Sequence, residues 1–407
     1  MKPRILMITP YLPCHSQAGG QTRSFYLIKH LSKNNLITLV CFTRDKTGLN
    51  ELKKYCQKVI IVKRGKTWDL KKIIRTGFSL YPFLVSNYLN KNLQKKIKQE
   101  LNDNKYDLIH SECFYLMPNI PKTKIPTILV DQTIEYAVYQ HFVESLSGIN
   151  SLLKPLLWID VLKLKFWETY YWKNTHTIAA VSKEDQQLMA KLSGRNDIKL
   201  VNNGVSESYF DYKKRIRKTK YPSILFGVSN MKWMQNKEAA QLLLDEIWPK
   251  IKKQLPQTKL FIIGRHAPQA FANYKNKNII IKEADENGKK HDPQFYYQQS
   301  WILLAPIKSG GGSRTKFFEA MASKLPIITT KHGMEGISAQ NNIHAIVCQY
   351  DKLTQESIKL LKNKKRRQKI GSFAHDLTKK EYSWAKSANQ LNQIYKQITK
   401  PKTCVTK

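Results

Sequence analysis

Residues 301–330 read WILLAPIKSGGGSRTKFFEAMASKLPIITT. An apolar run ends at Pro306, and three glycines follow at Gly310, Gly311 and Gly312. Ser313 is a good helix cap, and Arg314 and Lys316 stand at the head of a helix expected over about 314–323. The first turn of a helix carries unpaired N–H groups and the positive end of the helix dipole, which together make an anion site. Cations at that end oppose the dipole and cost the helix a few tenths of a kcal/mol or more. The penalty is easier to understand if an anion sits in front of Arg314 and Lys316. Two cations and several amides could neutralise a diphosphate without a metal, each charge-assisted hydrogen bond contributing about 1.5–3 kcal/mol. The loop matches neither G-x-x-x-x-G-K-[ST] nor G-x-G-x-x-G, which disfavours a P-loop NTPase and a dinucleotide oxidoreductase. Glu319, further along the helix, could accept hydrogen bonds from ribose hydroxyls. The bland alternative is a plain glycine turn with solvent-facing Arg314 and Lys316 and an exposed Glu319.

Such a site needs a scaffold that brings a strand end, a loop and a helix head together. Short apolar runs with β-branched residues alternate with stretches of helical period along the chain. The first half reads as strands at 4–9, 36–42, 59–62, 106–110, 126–130 and 177–181, with a helix at about 22–32. A second series reads as strands at 223–228, 259–264, 279–281, 301–305 and 326–330, with helices at 238–253 and 314–323. Strands apolar on both faces, alternating with helices, predict parallel sheets covered on each side. The expected fold class is α/β, with two Rossmann-like doubly wound domains facing a central cleft. The expected boundaries are an N-terminal domain at 1–205, a linker at 206–222, a C-terminal domain at 223–380, a terminal helix at 381–398 and a tail at 399–407. The linker contains the charged, apolar-poor YKKRIRKTKY. The terminal helix carries Trp384, Ala388, Leu391, Ile394 and Tyr395 on one stripe and is expected to pack back on the N-terminal domain. Ligands of doubly wound sheets bind outside the carboxyl ends of the strands, which makes the cleft the expected active site.

Composition narrows the partners. The chain has 407 residues, 42% of them hydrophobic, enough for sizeable cores and too many for disorder. Its 69 Lys+Arg against 30 Asp+Glu leave a net charge of +39. That charge makes polyanionic substrates, nucleic acid or an acidic membrane surface plausible without choosing among them. The cysteines include no C-x-x-C pair, which suits a reducing compartment. The apolar run at 5–8 is too short for a signal-peptide core, and no window reaches a membrane span. The expected setting is cytoplasmic, with peripheral contact at the inner face of the cell membrane.

The glycine-loop segment resembles the donor-site signature of retaining, nucleotide-sugar-dependent glycosyltransferases of family 4, the group 1 glycosyltransferases of GT-B fold. The resemblance extends over nearly the whole chain. Tyr11-Leu12-Pro13 with Gly19-Gly20-Gln21-Thr22-Arg23 is similar to the family's N-terminal glycine loop. Ala180-Val181-Ser182-Lys183-Glu184-Asp185 and Asn202-Asn203-Gly204-Val205 are similar to its "VS-x-x-D" and "NGV" elements. The run from Phe226 to Trp233, with Asn236, and Ile262-Ile263-Gly264-Arg265 resemble the opening loop and the "IVGR" of the donor domain. Glu319-Ala320-Met321-Ala322 is the most specific element. The resemblance implies that Lys316, with Arg314 and the amides of Gly311, Gly312 and Ser313, holds the donor diphosphate, and that Glu319 binds the ribose. It implies Lys232 as a second phosphate group, a donor-side place for Gly264 and Arg265, and a close approach of Gly19 and Gly20 to the transferred sugar.

The chain also departs from the family pattern. Gly311 stands where the family often has the first Glu of Glu-x7-Glu, and Asp131-Gln132-Thr133-Ile134-Glu135 stands directly after strand 126–130, where the family usually has a His. Asp131 or Glu135 is the expected catalytic assistant, with His110 as an outlying alternative; an Asp just after a strand is equally a helix cap. No D-x-D motif is present, which agrees with a metal-independent reaction and no cofactor beyond a nucleotide-diphosphate sugar as co-substrate. The expected function is hexose transfer, with retention at the anomeric carbon, to a hydroxyl of a glycan or lipid-linked acceptor in cell-envelope polysaccharide synthesis. The competing readings are a nucleic-acid-binding protein, for which no motif speaks, and a nucleotide-sugar epimerase of the same architecture. Residues 68–88 and 152–172 mix Lys and Arg with large apolar side chains, which suits either a lipid-linked acceptor or helices packed on the core with lysines in water.

Overall fold

The computed structural model describes residues 2–14, 19–43, 48–65, 76–77, 79–210, 219–227, 229–274, 276–284, 293–308 and 315–399. The chain divides into two compact units. One holds the residues up to Asn202 together with the terminal helix from Ser387, and the other runs from Asn203 to Lys386.

The N-terminal unit is built on a parallel sheet of seven strands: β1 (Arg4–Thr9), β2 (Leu36–Thr43), β3 (Lys58–Lys63), β4 (Leu108–Glu112), β5 (Thr127–Val130), β6 (Thr177–Ala180) and β7 (Lys199–Leu200), in the order β3-β2-β1-β4-β5-β6-β7. Alternation sorts the strand residues into two cores. Leu6 and Ile8 join Val40 and Phe42 on one face, while Ile5 and Met7 join Leu39 and Cys41 on the other. The helix Trp384–Thr399 closes the second face with Ala388, Leu391, Ile394 and Tyr395. The winding reverses between β1 and β4, the switch point where doubly wound sheets bind ligands.

The C-terminal unit repeats this winding. Its strands are β8 (Ser223–Leu225), β9 (Ser229–Asn230), β10 (Lys259–Arg265), β11 (Ile279–Lys282), β12 (Ile302–Ala305), β13 (Ile327–Thr329) and β14 (Ile346–Val347). They are ordered β11-β10-β8-β12-β13-β14, with β9 paired to β10 and the reversal between β8 and β12. The expected strand 223–228 is two strands, because Gly227 turns the chain at φ +99° after β8. The expected helix 238–253 begins earlier, at Met234, and passes through one π turn at Leu243–Ile247 just before Pro249, which has no N–H to offer the ladder. The two-residue strands β7 and β14 are too short to show in the hydropathy pattern.

Two elements quoted for the family resemblance have plain mechanical roles. Ser182 caps the helix Lys183–Ser193 by accepting a bond from the Asp185 N–H at 3.0 Å, and Gly194 ends that helix at φ +72°. Gly204 passes so close to Trp384 that a Cβ would lie 2.6 Å from its backbone nitrogen. The charged run at 362–369 lies mostly on an exposed face, but Arg367 is half-buried over the Trp301 ring at 4.3 Å. Of the expected linker, residues 211–218 lie outside the described residues. Among the described residues no helix is long and apolar enough to cross a membrane.

Gly371, inside the helix Lys364–Glu381, packs directly on the Lys324 carbonyl oxygen, which a Cβ would strike. Gly371→Ala should therefore lower stability by about 1–2 kcal/mol through overpacking, although alanine is the better helix former by about 0.8–1.0 kcal/mol. Thermal denaturation checks this, and a raised melting temperature would contradict the packing.

Candidate functional site

In the N-terminal unit the polar side chains converge where β1, β4 and β5 end. On β4, His110 and Glu112 are two residues apart and share one side of the strand, and both are fully buried. His110 Nδ1 makes a short hydrogen bond with the Tyr395 hydroxyl on the terminal helix, and its Nε2 lies 3.2 Å from Glu112 Oε1. Glu112 Oε2 accepts a short bond from the Gln132 amide, and Gln132 Oε1 accepts one from the Tyr11 hydroxyl at 3.0 Å. Arg23 Nε stands 3.8 Å from Glu112 Oε2, while its Nη1 donates to the carbonyls of Val201 and Asn202 at 3.2 and 3.3 Å. Burial pushes the Glu112 pKa up. The bond from His110 and the Arg23 charge outweigh it and leave the carboxyl below its ordinary range.

Gln132, Tyr11 and Gly20 form the half-buried rim of this network. Gly19 and Gly20, expected in a loop, occupy the first turn of the helix Gly19–Leu31, which starts three residues earlier than the expected 22. A Cβ on Gly20 would sit 2.6 Å from Gln132 Oε1 and closer still to the Tyr11 hydroxyl. Cys113, next to Glu112, holds φ +84°, a strained value for a non-glycine residue.

Beside this network lies a group of carboxyls. Asp131 is buried and accepts from the Phe114 N–H at 2.8 Å and from Trp172 Nε1 at 2.6 Å. Glu168 is buried and accepts from the N–H groups of Glu135 and Tyr136 at 2.8 and 3.1 Å, which caps the helix Glu135–Ser145 from outside. Asp131 thus braces a turn and a tryptophan with both oxygens. The Glu135 carboxyl is half-buried and has no hydrogen bond or ion pair among the described residues. Burial raises Asp131 to about 7, and burial together with the Asp131 charge raises Glu135 to about 8.

In the C-terminal unit the helix Thr315–Ala322 follows β12. Lys316 is buried; its ammonium lies 3.1 Å from Asn236 Oδ1 and 4.5 Å from the centre of the Phe226 ring. Gly227 makes room for its stem, since a Cβ there would come within 3.0 Å of Lys316 Cδ. Asn236 donates to the Asn230 carbonyl at 3.2 Å, and the Asn230 side chain accepts from the Lys232 N–H at 3.0 Å. One turn thus ties Lys316 to the exposed Lys232. Gly264 and Arg265 end β10 against Ser229 and Asn230, and the Arg265 carbonyl accepts from Met231 at 2.9 Å. Glu319 is half-buried and accepts from the Tyr297 hydroxyl at 2.7 Å. Burial raises its pKa to about 7 against the bonds from Tyr297 and Tyr209 and the Lys316 charge. Gly311, Gly312, Ser313 and Arg314 lie outside the described residues.

The structure thus gathers Lys316, Lys232, Gly264 and Arg265 around the Asn230 turn, with Glu319 on the same helix as Lys316. In the other unit it gathers Gly20, Asp131 and Glu135 beside a network that includes His110. Glu112, Gln132, Tyr11, Arg23 and Tyr395 were not expected at a site. The pair His110-x-Glu112 at the end of an apolar strand was the available signal, since both side chains must share a face. Among the described residues no group of three or more His, Cys, Asp or Glu is arranged to hold a metal ion.

Residues 222–363 match the family model described as "Glycosyl transferases group 1". The match covers about a third of the chain and lies within the C-terminal unit, where it makes that stretch similar to group 1 glycosyltransferase domains. The whole fold is shared with solved structures at low identity. A glycosyltransferase from Rickettsia africae ESF-5 is 16% identical with a TM-score of 0.64, over 98% of this chain and 99% of that one. Sucrose-phosphate synthase from Thermosynechococcus elongatus is 13% identical with a TM-score of 0.69, over 98% and 99%. Anabaena HepE in complex with UDP-glucose is 11% identical with a TM-score of 0.62, over 97% and 100%. No curated protein sequence matches the chain. The α/β architecture of two parallel-sheet units is that of GT-B glycosyltransferases.

The raised pKa of Asp131 fixes the sign of a pH effect on stability. Its ordinary value is 3.8 and its folded value about 7, so the fold holds a proton there that the unfolded chain releases. Stability conferred by the protonated site is present at low pH and is lost as pH rises from about 4 towards 7. The melting-temperature gap between the native protein and Asp131→Asn, which cannot titrate, should shrink from pH 5 to pH 8 in calorimetry. A gap that widens would refute the assignment.

Proposed function

We propose that the protein is a nucleotide-sugar-dependent glycosyltransferase that moves a hexose-type sugar to a hydroxyl of a glycan or lipid-linked acceptor, with retention at the anomeric carbon. The observation that supports this most is that the matched stretch contains Lys316 and Glu319 on one helix beside the switch point of its sheet. In this reading Lys316, with Arg314, Lys232 and the amides of Gly311, Gly312 and Ser313, binds the diphosphate, and Glu319 binds the ribose. The acceptor oxygen bonds to the anomeric carbon as the bond from that carbon to the diphosphate oxygen breaks. The electron pair leaves with the nucleotide diphosphate, whose growing charge is met by fixed cations.

The acceptor hydroxyl must also lose a proton. Glu135 suits that role better than Asp131, because its carboxyl is unengaged among the described residues while both Asp131 oxygens are occupied. Gln132 and Tyr11 at the rim, with Gly20 beside them, offer the polar edge against which a hydroxyl can be oriented. Cys41, Cys56 and Cys113 are buried thiols, and in this reading the setting is reducing and cytoplasmic. The building of cell-envelope polysaccharide is the role we assign to the reaction.

Three measurements test this. Thermal shift against nucleotide diphosphates and sugar nucleotides should find a ligand that, at 100 times its dissociation constant, stabilises by about 2.7 kcal/mol; no shift with any of them would sink the reading. Lys316→Ala should lower turnover by about 10²–10³ with the fold intact, and unchanged turnover would remove Lys316 from the site. As the proton acceptor, Glu135 works in its ionised form, and that form grows through about pH 8. Turnover should therefore rise with pH up to that value in the native protein and lose this rise in Glu135→Gln; the same profile in both would discard Glu135.

A further inference from the structure

The helix Lys154–Asn174 has two apolar faces, and its own unit covers only one. Val161, Leu164 and Trp172 are buried against the core. On the opposite side Leu156, Ile159, Leu162, Phe166 and Tyr170 are exposed, Leu162 and Phe166 each by 62%. The preceding turn, Gly148–Leu153, extends this surface with Ile149 and Leu152, exposed by 83% and 77%. Soluble surfaces rarely keep so many large apolar side chains contiguous in water unless something binds there.

The charge on this face has one sign. Every exposed residue of the helix is apolar, a proline or a lysine, apart from Asn174 at its end. Lys165 and Lys173 line an open hollow with Leu162, Phe166, Thr169 and Tyr170. The two carboxylates of the helix are turned away from it. Asp160 accepts from the Phe83 N–H at 2.8 Å, and Glu168 accepts from Glu135 and Tyr136. The segment before Phe83 is pinned alongside, with Lys163 donating to the carbonyls of Thr76 and Ser79 and Trp167 Nε1 to that of Leu80. Leu80 itself is exposed beside it.

We propose that this face docks the protein on an anionic lipid surface. The apolar ridge would enter the boundary between head groups and acyl chains while Lys165 and Lys173 meet the anionic head groups. The net charge of +39 favours the same partner at longer range. A second copy fits less well, because it would bring these lysines together with no acidic side chain among the exposed residues of this helix to pair them. The inference makes no use of the reaction assigned above.

Cosedimentation of the full chain with vesicles tests it, comparing phosphatidylcholine mixed with phosphatidylglycerol against phosphatidylcholine alone. The native protein should bind the anionic vesicles at least about tenfold more tightly, and added salt should weaken that binding. The double variants Leu162→Ser/Phe166→Ser and Lys165→Glu/Lys173→Glu should each lose about tenfold or more while melting like the native protein, since all four side chains are on the surface. Equal binding to both kinds of vesicle, or native-like binding by both variants, overturns the proposal. So does a dimer in light scattering that Leu162→Ser/Phe166→Ser dissociates, because the face would then belong to a second copy.

Discussion

A charge buried without partners costs more than a fold can spare, and the N-terminal unit is organised around one such charge. Glu112 is fully enclosed, so its carboxylate must be met from every side. What meets it is His110 on the same strand, the Gln132 amide after β5, and the Arg23 guanidinium on the first helix, a charge 3.8 Å away. Tyr11 and Tyr395 hold the outer ends of the chain of bonds. Tyr395 explains why the terminal helix belongs with this unit although the whole C-terminal unit precedes it in sequence. Its apolar stripe supplies the burial, and its hydroxyl completes a network that would otherwise end on an imidazole nitrogen.

The two units share one winding and differ in what they place at the switch point. The N-terminal unit places carboxyls there, one held ionised by its donors and others raised towards neutrality by burial. Groups whose environments push their pKa values apart can divide acid and base work. The C-terminal unit places a buried ammonium, steadied by an amide oxygen and an aromatic ring. A carboxyl with a raised pKa suits the movement of a proton, and a fixed cation suits an anionic leaving group. The same fold supports both because the helices and strands bear the stability, while a few side chains at strand ends are free to differ.

Most strands of both sheets were legible in the sequence because central parallel strands are apolar on both faces and stand out from helical periods. The short edge strands β7 and β14 were not, since two residues carry no period. The cation at the head of the helix after β12 was legible because Lys316 works against the helix dipole, so its presence asks for a reason. The Glu112 network was not. Its members come from five separated segments, and what joins them is burial, which no local spacing encodes. Asp131 stood out only as an acid after a strand, and the structure shows that it supports Phe114 and Trp172.

The helix Lys154–Asn174 shows why residues 152–172 stayed ambiguous in the sequence. A helix packed on one core alternates apolar and polar sides, and the period of that alternation reveals it. Here the apolar residues run around most of the circumference, so no period separates the side that meets the core from the side that meets solvent. Only the inward carboxylates mark the division: Glu168 and Asp160 spend their charge on backbone N–H groups of their own unit. Once those are subtracted, the outer side is apolar with lysine alone for charge. The inner side of this helix therefore caps the segment that carries Glu135, and its outer side keeps an apolar surface that the unit itself leaves uncovered.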